Sequence, residues 1–204
     1  MRIIIWNILD IIAKYGEEYT NIVLSDFSNS VEIDGNFKHL NPDIENFLKK
    51  NAIQFSKEKK SITYLVLDRD SGHILGFFTL THKAVEIPAE GLSRSAIRKI
   101  EKNARLDREK NVFVLSAFLI AQFGKNYAVE ADQRISGQEL IDLCSRELSE
   151  IRYRIGGNVV YLDCEPDANL IRFYQAQQQF TLFGERTSET DGKRYLQYMK
   201  FIRS

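Results

Sequence analysis

The stretch of this 204-residue chain best equipped for chemistry is Leu119 to Leu140, LIAQFGKNYAVEADQRISGQEL. It reads as an apolar strand running out into a polar loop, then into a helix that starts at Arg134-Ile135-Ser136-Gly137. Amide hydrogens at a helix start have no carbonyl partner and carry partial positive charge, so they can hold a phosphate. Gly137 would let the backbone come close to such an anion, and Arg134 could add a charge-assisted hydrogen bond. The same residues also spell an ordinary capped helix. Ser136 would be the cap and Glu139, three residues on, would complete a capping box. Spacing alone leaves both readings open.

The elements that must position this segment follow from hydrophobic period. Val112 to Ala121 (VFVLSAFLIA) is almost wholly apolar, as a strand covered on both faces would be. The loop Gly124 to Ile135, a helix from Ser136 to Arg152 and a second apolar strand, Val159 to Cys164, complete a parallel βαβ crossover. Upstream, Ser61–Asp68 and His73–Thr81 form an antiparallel hairpin around Arg69-Asp70-Ser71-Gly72. Asn41-Pro42-Asp43 starts a helix whose apolar face is Ile44, Phe47, Leu48 and Phe55. Downstream lie a helix at 168–178 and closing strands at 180–183 and 195–202. Residues 17–41 read as helix, turn and loop, and 93–111 as a charged helix inserted between strands. The whole predicts a mixed α/β sheet in one domain spanning residues 1–204.

Composition narrows the function. Lys plus Arg and Asp plus Glu number 28 each, so no global field draws the protein to nucleic acid or lipid. Cys144 and Cys164 stand far apart in apolar contexts, which predicts buried reduced thiols. His39, His73 and His82 lack metal-ligand spacing, so no metal is expected. The N-terminal segment Met1–Ala13 is too short to span a bilayer and is interrupted by Asn7 and Asp10. Ile4, Ile5, Leu9, Ile12 and Ala13 recur at helical spacing, so the segment reads as an amphipathic helix packed on a cytoplasmic domain.

Three segments, in the right order, resemble the GNAT superfamily of N-acetyltransferases. Arg134, Gly137 and Glu139 take the first, fourth and sixth positions of its Q/R-x-x-G-x-G/A motif, Glu139 standing where a small residue is expected. Tyr161-Leu162-Asp163-Cys164, then Ala168 to Phe173-Tyr174 and Phe180, is similar to its strand followed by A-x-x-x-x-F-Y and a later G-F. Gln179 stands where the glycine belongs, and Phe180 sits one residue late. DIENFLKKNAIQF, the hairpin and the long insert are similar to a subgroup containing toxin-like acetyltransferases.

The resemblance implies a GNAT-like, mostly antiparallel sheet with a central parallel βαβ unit and helices on both faces. It implies acetyl-CoA as cosubstrate and transfer of its acetyl group to a primary amine by direct attack. Gln122, Phe123, Gly124 and Lys125 would offer backbone groups to the pantetheine arm, because splayed parallel strands leave such groups unpaired. Arg134, Ile135, Ser136, Gly137 and Gln138 would hold the pyrophosphate. Tyr174 would protonate the departing thiolate, or else be a packed aromatic on an amphipathic helix. No base for the amine stands out. Glu165 and Asp167 suit either that task or a helix start.

The acceptor is not written in the sequence. Residues 93–111 hold Arg94, Arg98, Lys99, Lys102, Arg105, Arg108 and Lys110 against Glu101, Asp107 and Glu109. This basic segment is either a solvated face laced with i,i+4 pairs or a surface for RNA. Three functions fit: acetylation of a small-molecule or peptide amine, a toxin that acetylates aminoacyl-tRNA and has an antitoxin partner, and a non-catalytic binding module of the same fold.

Overall fold

A computed structural model describes residues 2–33, 36–90, 92–189 and 192–202, with 32–33 and 36–39 as backbone only. The chain opens with β1 (Ile3–Asn7), α1 (Ile8–Tyr15), α2 (Glu17–Ser25), β2 (Ser30–Ile33) and β3 (Asn36–His39). Next come α3 (Pro42–Asn46), a π-helical turn (Phe47–Asn51), α4 (Ala52–Lys57), β4 (Ile62–Asp68) and β5 (Ile74–Pro88). They are followed by α5 (Arg94–Ile100), β6 (Ala104–Asp107), β7 (Val112–Lys125), α6 (Gly137–Ile155) and β8 (Val159–Cys164). The chain closes with α7 (Ala168–Ile171), which runs into a π-helical segment (Arg172–Gln177), then β9 (Thr181–Thr187) and β10 (Arg194–Phe201). Residues divide into two compact units, Met1–Thr81 with Ala121–Glu150, and His82–Ile120 with Ile151–Ser204.

In the first unit β1 pairs antiparallel with β4, Ile3 opposite Asp68 and Asn7 opposite Tyr64. β4 pairs antiparallel with β5, from Ile62↔Leu80 to Leu67↔Ile74. Ile8, Ile11, Leu24, Phe27, Leu48, Leu65 and Phe77 bury together as its core. Each such side chain contributes roughly 1.5–3 kcal/mol on burial. The expected N-terminal helix is corrected here. Three consecutive β-branched isoleucines favour extended backbone and find an open edge on β4, so Ile3–Asn7 is a strand. The helix begins only after Asn7, whose Oδ1 accepts the Leu9 N–H at 2.9 Å. Within 17–41 the structure has a helix and the antiparallel β2–β3 pair. Residues 34 and 35 and the His39 side chain lie outside the described residues. The helix expected at Asn41 forms as read: Asn41 Oδ1 accepts the Asp43 N–H at 3.0 Å and Pro42 takes the first position.

The second unit holds the parallel step. β7 and β8 pair parallel through Phe118↔Val160 and Leu119↔Tyr161, as the βαβ reading required. β10 pairs antiparallel with β8 on one side and β9 on the other. Val85, Ile87, Ile100, Phe113, Leu115, Tyr161, Phe183 and Met199 share one core. The expected helix over 93–111 is corrected to a short helix and a strand. Ser93 Oγ caps α5 by accepting the Ala96 N–H at 3.2 Å, and the helix stops at Ile100. Ala104–Asp107 then pairs antiparallel with Val112–Leu115. The turn between them is closed by the Asp107 carboxylate, which accepts the Glu109 and Lys110 N–H at 3.0 and 3.2 Å, and by Asn111 at φ 54°. Dense charge hid a four-residue alternation. The architecture is a mixed α/β fold with mostly antiparallel strands and a parallel β7–β8 pair.

Candidate active site

The strand end and helix start singled out in the sequence lie together in the first unit. β7 extends through Gln122, Phe123, Gly124 and Lys125, four residues past the predicted end. Gly124 is a glycine for want of space. A Cβ there would stand 2.5 Å from Ile44 Cγ2 and 3.1 Å from Phe77 Cε1. Its carbonyl oxygen would lie 2.9 Å from a Cβ on Gly76, so the backbones at 76 and 124 approach closely. The Lys125 carbonyl accepts the Asn29 side-chain amide at 3.2 Å.

Two residues that sequence reasoning missed hold this strand end. Asn126, 2% exposed, donates through Nδ2 to the Ile74 carbonyl at 2.8 Å. Its Oδ1 accepts the Ser28 N–H at 2.9 Å and the Ala128 N–H at 3.0 Å. Asn29, also buried, accepts the Asn41 N–H at 2.9 Å. A lone asparagine after a strand gives no sign of partners at Ser28 and Ile74, 98 and 52 residues away.

The polar loop after Asn126 is drawn in by Arg134. Its Nε donates to the Val129 carbonyl at 3.0 Å, a second guanidinium nitrogen donates to the Tyr127 carbonyl at 2.9 Å, and the group lies 5.3 Å from the Tyr127 ring centroid. Arg134 thus shapes the loop. Ile135 is buried, 1% exposed as a whole residue. α6 follows with 19 residues, and its start carries the capping box. The Ser136 N–H donates to Glu139 Oε2 at 2.9 Å, and the Glu139 N–H donates to Ser136 Oγ at 3.1 Å. The Ser136 backbone amide first, and then its side chain, hold the Glu139 carboxyl below the usual range. The Gly137 N–H has no partner among the described residues. The Gln138 side-chain amide donates to Asp142 at 2.9 Å.

The second unit carries the other half of the expected chemistry. The parallel ladder stops at Leu119↔Tyr161, so the end of β8, Leu162–Cys164, has no β7 partner among the described residues. Tyr174 sits in the π-helical segment, 6% exposed. Its ring lies 5.0 Å from Phe173, 5.9 Å from Phe180 and 6.5 Å from Tyr198. The turn after it explains the missing glycine. Gln179 takes φ 58°, the left-handed region that favours glycine, and the Phe180 N–H returns to the Tyr174 carbonyl at 2.9 Å.

The two carboxylates offered as bases are otherwise engaged. Asp167 caps α7, accepting the Asn169 and Leu170 N–H at 2.9 and 3.1 Å, and Glu165 pairs with Lys193 at 2.9 Å. Both cysteines are free and buried, as the sequence predicted. Burial and then nearby Asp163, Asp167 and Glu165 push Cys164 up to about 11, and burial raises Cys144 further. Both therefore stay thiols at neutral pH. Thiols in that state are poor nucleophiles.

No family profile matches the chain, and no curated protein matches it. Solved structures do. A structure described as a bacterial toxin matches at TM-score 0.60 with 16% identity, over 98% of this chain and 91% of its own. AtaT complexed with acetyl-methionyl-tRNAfMet matches at 0.60 with 13% identity, over 96% and 94%. A Tyr-to-Phe mutant of KacT matches at 0.62 with 11% identity, over 99% and 96%. The chain shares the fold of these structures. At these identities the likeness is one of fold, end to end. No helix among the described residues is long and apolar enough to cross a membrane.

Proposed function

We propose that this chain is an acetyl-CoA-dependent N-acetyltransferase in one functional domain, and that its acceptor is the amino group of an aminoacyl-tRNA. The observation that carries the reading is the short β7–β8 ladder, which leaves the Leu162–Cys164 edge without a β7 partner. Unpaired peptide groups at a strand edge suit an extended amide-bearing arm such as pantetheine. Gln122, Phe123, Gly124 and Lys125 would hydrogen-bond that arm through their backbones. The Gly137 and Gln138 amides, at the positive end of a 19-residue helix, would hold the diphosphate, with Ile135 and Ser136 contributing backbone and Arg134 fixing the loop.

The amine nitrogen attacks the thioester carbon, the C–N bond forms and the C–S bond breaks. Tyr174 gives its hydroxyl proton to the departing sulfur, and the amine's proton leaves to solvent. The protonated state of both cysteines supports direct attack over an acyl-cysteine. Aminoacyl-tRNA is placed ahead of small amines because toxin structures, one holding acetyl-methionyl-tRNAfMet, match nearly the whole chain. The basic residues of 94–108 would then meet phosphates, and binding would weaken steeply with salt.

The test is a panel of small amines, peptides and aminoacyl-tRNAs, followed by release of the CoA thiol. Transfer to aminoacyl-tRNA is expected, with Tyr174→Phe slower by about 10²–10⁴-fold at little cost in CoA affinity. Thiol release with small amines alone would return the acceptor to that class. One observation favours a second reading, a non-catalytic module: the Glu139 carboxylate sits on the Ser136 amide where the diphosphate would go. On that reading acetyl-CoA gives no heat of binding.

A further inference from the structure

Tyr198, in the middle of β10, is the largest fully buried side chain among the described residues, 1% exposed. Buried tyrosines usually satisfy their hydroxyl. That of Tyr198 has no hydrogen-bond partner among the described residues, and it is not sealed from solvent as the unpartnered Ser61 Oγ is. Its place in the sheet is specific. Tyr198 stands opposite Leu162, the first β8 residue past the end of the parallel ladder, and Leu196 stands opposite Cys164. Directly opposed residues share a face, so Tyr198 lies on the same face as the Cys164 thiol. The Tyr174 ring packs there too, 6.5 Å from Tyr198 and tilted 30°. The other charged groups on this face are Lys200, 5.6 Å over the Phe180 ring, and Glu185, paired with Arg194. Burial, then Cys164, pushes the Tyr198 ionisation up, so its hydroxyl remains a donor.

We propose that Tyr198 is a positioning residue for acetyl transfer, its O–H donating to the phenolic oxygen of Tyr174 once the thioester is bound. The inference rests on the acetyltransferase reading above. Such a donor aims the remaining Tyr174 proton at the sulfur. When that proton moves, negative charge passes from the sulfur to the Tyr174 oxygen, and the Tyr198 O–H stabilises it. Tyr198 keeps its own proton throughout, and Tyr174 regains one from solvent. Hydrogen bonds of this kind are often unformed until the substrate arrives.

The test is Tyr198→Phe, alone and with Tyr174→Phe, in the thiol-release assay across pH. The donor lowers the Tyr174 pKa, so its loss should move the alkaline limb of the kcat profile upward. It should cut kcat about tenfold, the worth of one hydrogen bond, with KM for acetyl-CoA unchanged. The double variant should be no slower than Tyr174→Phe. An unmoved alkaline limb, or losses that multiply, would overturn the assignment and leave the acetyltransferase reading intact. Wild-type protein that releases no thiol would remove both. If Tyr198→Phe lowers the melting temperature enough to cloud the rates, a crystal structure with acetyl-CoA decides. The two phenolic oxygens should then lie about 2.5–3.0 Å apart, and a separation beyond hydrogen-bond reach refutes the role.

Discussion

Glu139 is the residue at which the structure and the proposed chemistry compete for the same atoms. Its carboxylate accepts the Ser136 N–H at 2.9 Å, and a diphosphate seated on this helix start would want the same donor. Replacing Glu139 with Ala has two opposed effects. The capping box is lost, which costs about 1 kcal/mol of stability. A like charge is also removed from the anion. At roughly 5 Å, a unit charge pair is worth about 0.8 kcal/mol in water and about 3 at an effective dielectric of 20. The site is exposed and salt screens it, so the gain belongs near the middle, about 1–2 kcal/mol. Acetyl-CoA affinity should therefore rise about 5–30-fold, read by titration calorimetry, while the protein melts earlier.

Glu139→Gln keeps an acceptor for Ser136 and drops the charge, so it should gain less affinity and lose less stability. The pH dependence has a definite sign. Because the folded Glu139 carboxyl titrates below its usual range, its stabilisation is present above the unfolded value, about 4.3, and is lost as pH falls through the folded value. Below that pH, wild type and Glu139→Ala should converge in stability. An unchanged or weaker affinity in Glu139→Ala would refute the reasoning, since the diphosphate would then not visit this helix start.

Other consequences are as direct. Gln179 holds φ 58°, so Gln179→Gly should stabilise the protein by about 0.5–1 kcal/mol in denaturant unfolding, and a loss would show that the turn is set otherwise. Gly124→Ala places a methyl 2.5 Å from Ile44 Cγ2 and should cost about 1–3 kcal/mol, measured the same way. Cys164, pushed up to about 11, should resist thiol reagents at pH 7.5 in folded protein, and Cys164→Ser should still form acetylated product. Rapid labelling, or abolished turnover in a folded variant, would reopen covalent catalysis.

The legible parts of the fold were those fixed by local period and local caps. SITYLVLD and VVYLDC show their extended character in their own residue types, the Asn41-Pro42 helix start finds its cap two residues on, and each formed as read. Ser136 and Glu139 form the capping box that their spacing spelled, and Gln179 fills the left-handed position where a glycine is usual. What failed depends on partners distant in sequence. Ile3–Asn7 is a strand only because β4 offers an edge 60 residues on. Ala104–Asp107 is a strand only because Val112–Leu115 folds back on it, and charged residues at alternate positions mask the pattern. Asn126 was invisible for the same reason, since it joins Ser28 and Ile74. Arg134 was expected to point at an anion. Two carbonyls of its own loop claim it instead.

The measurement closest to the central claim is an amide NMR titration of the wild-type protein with coenzyme A. Seating the diphosphate on the start of α6 should move the Gly137 and Gln138 amide resonances most, with Ser136 following as Glu139 lets go. Gly137 and its neighbours left unshifted at saturating CoA, whether or not resonances elsewhere respond, would contradict the account.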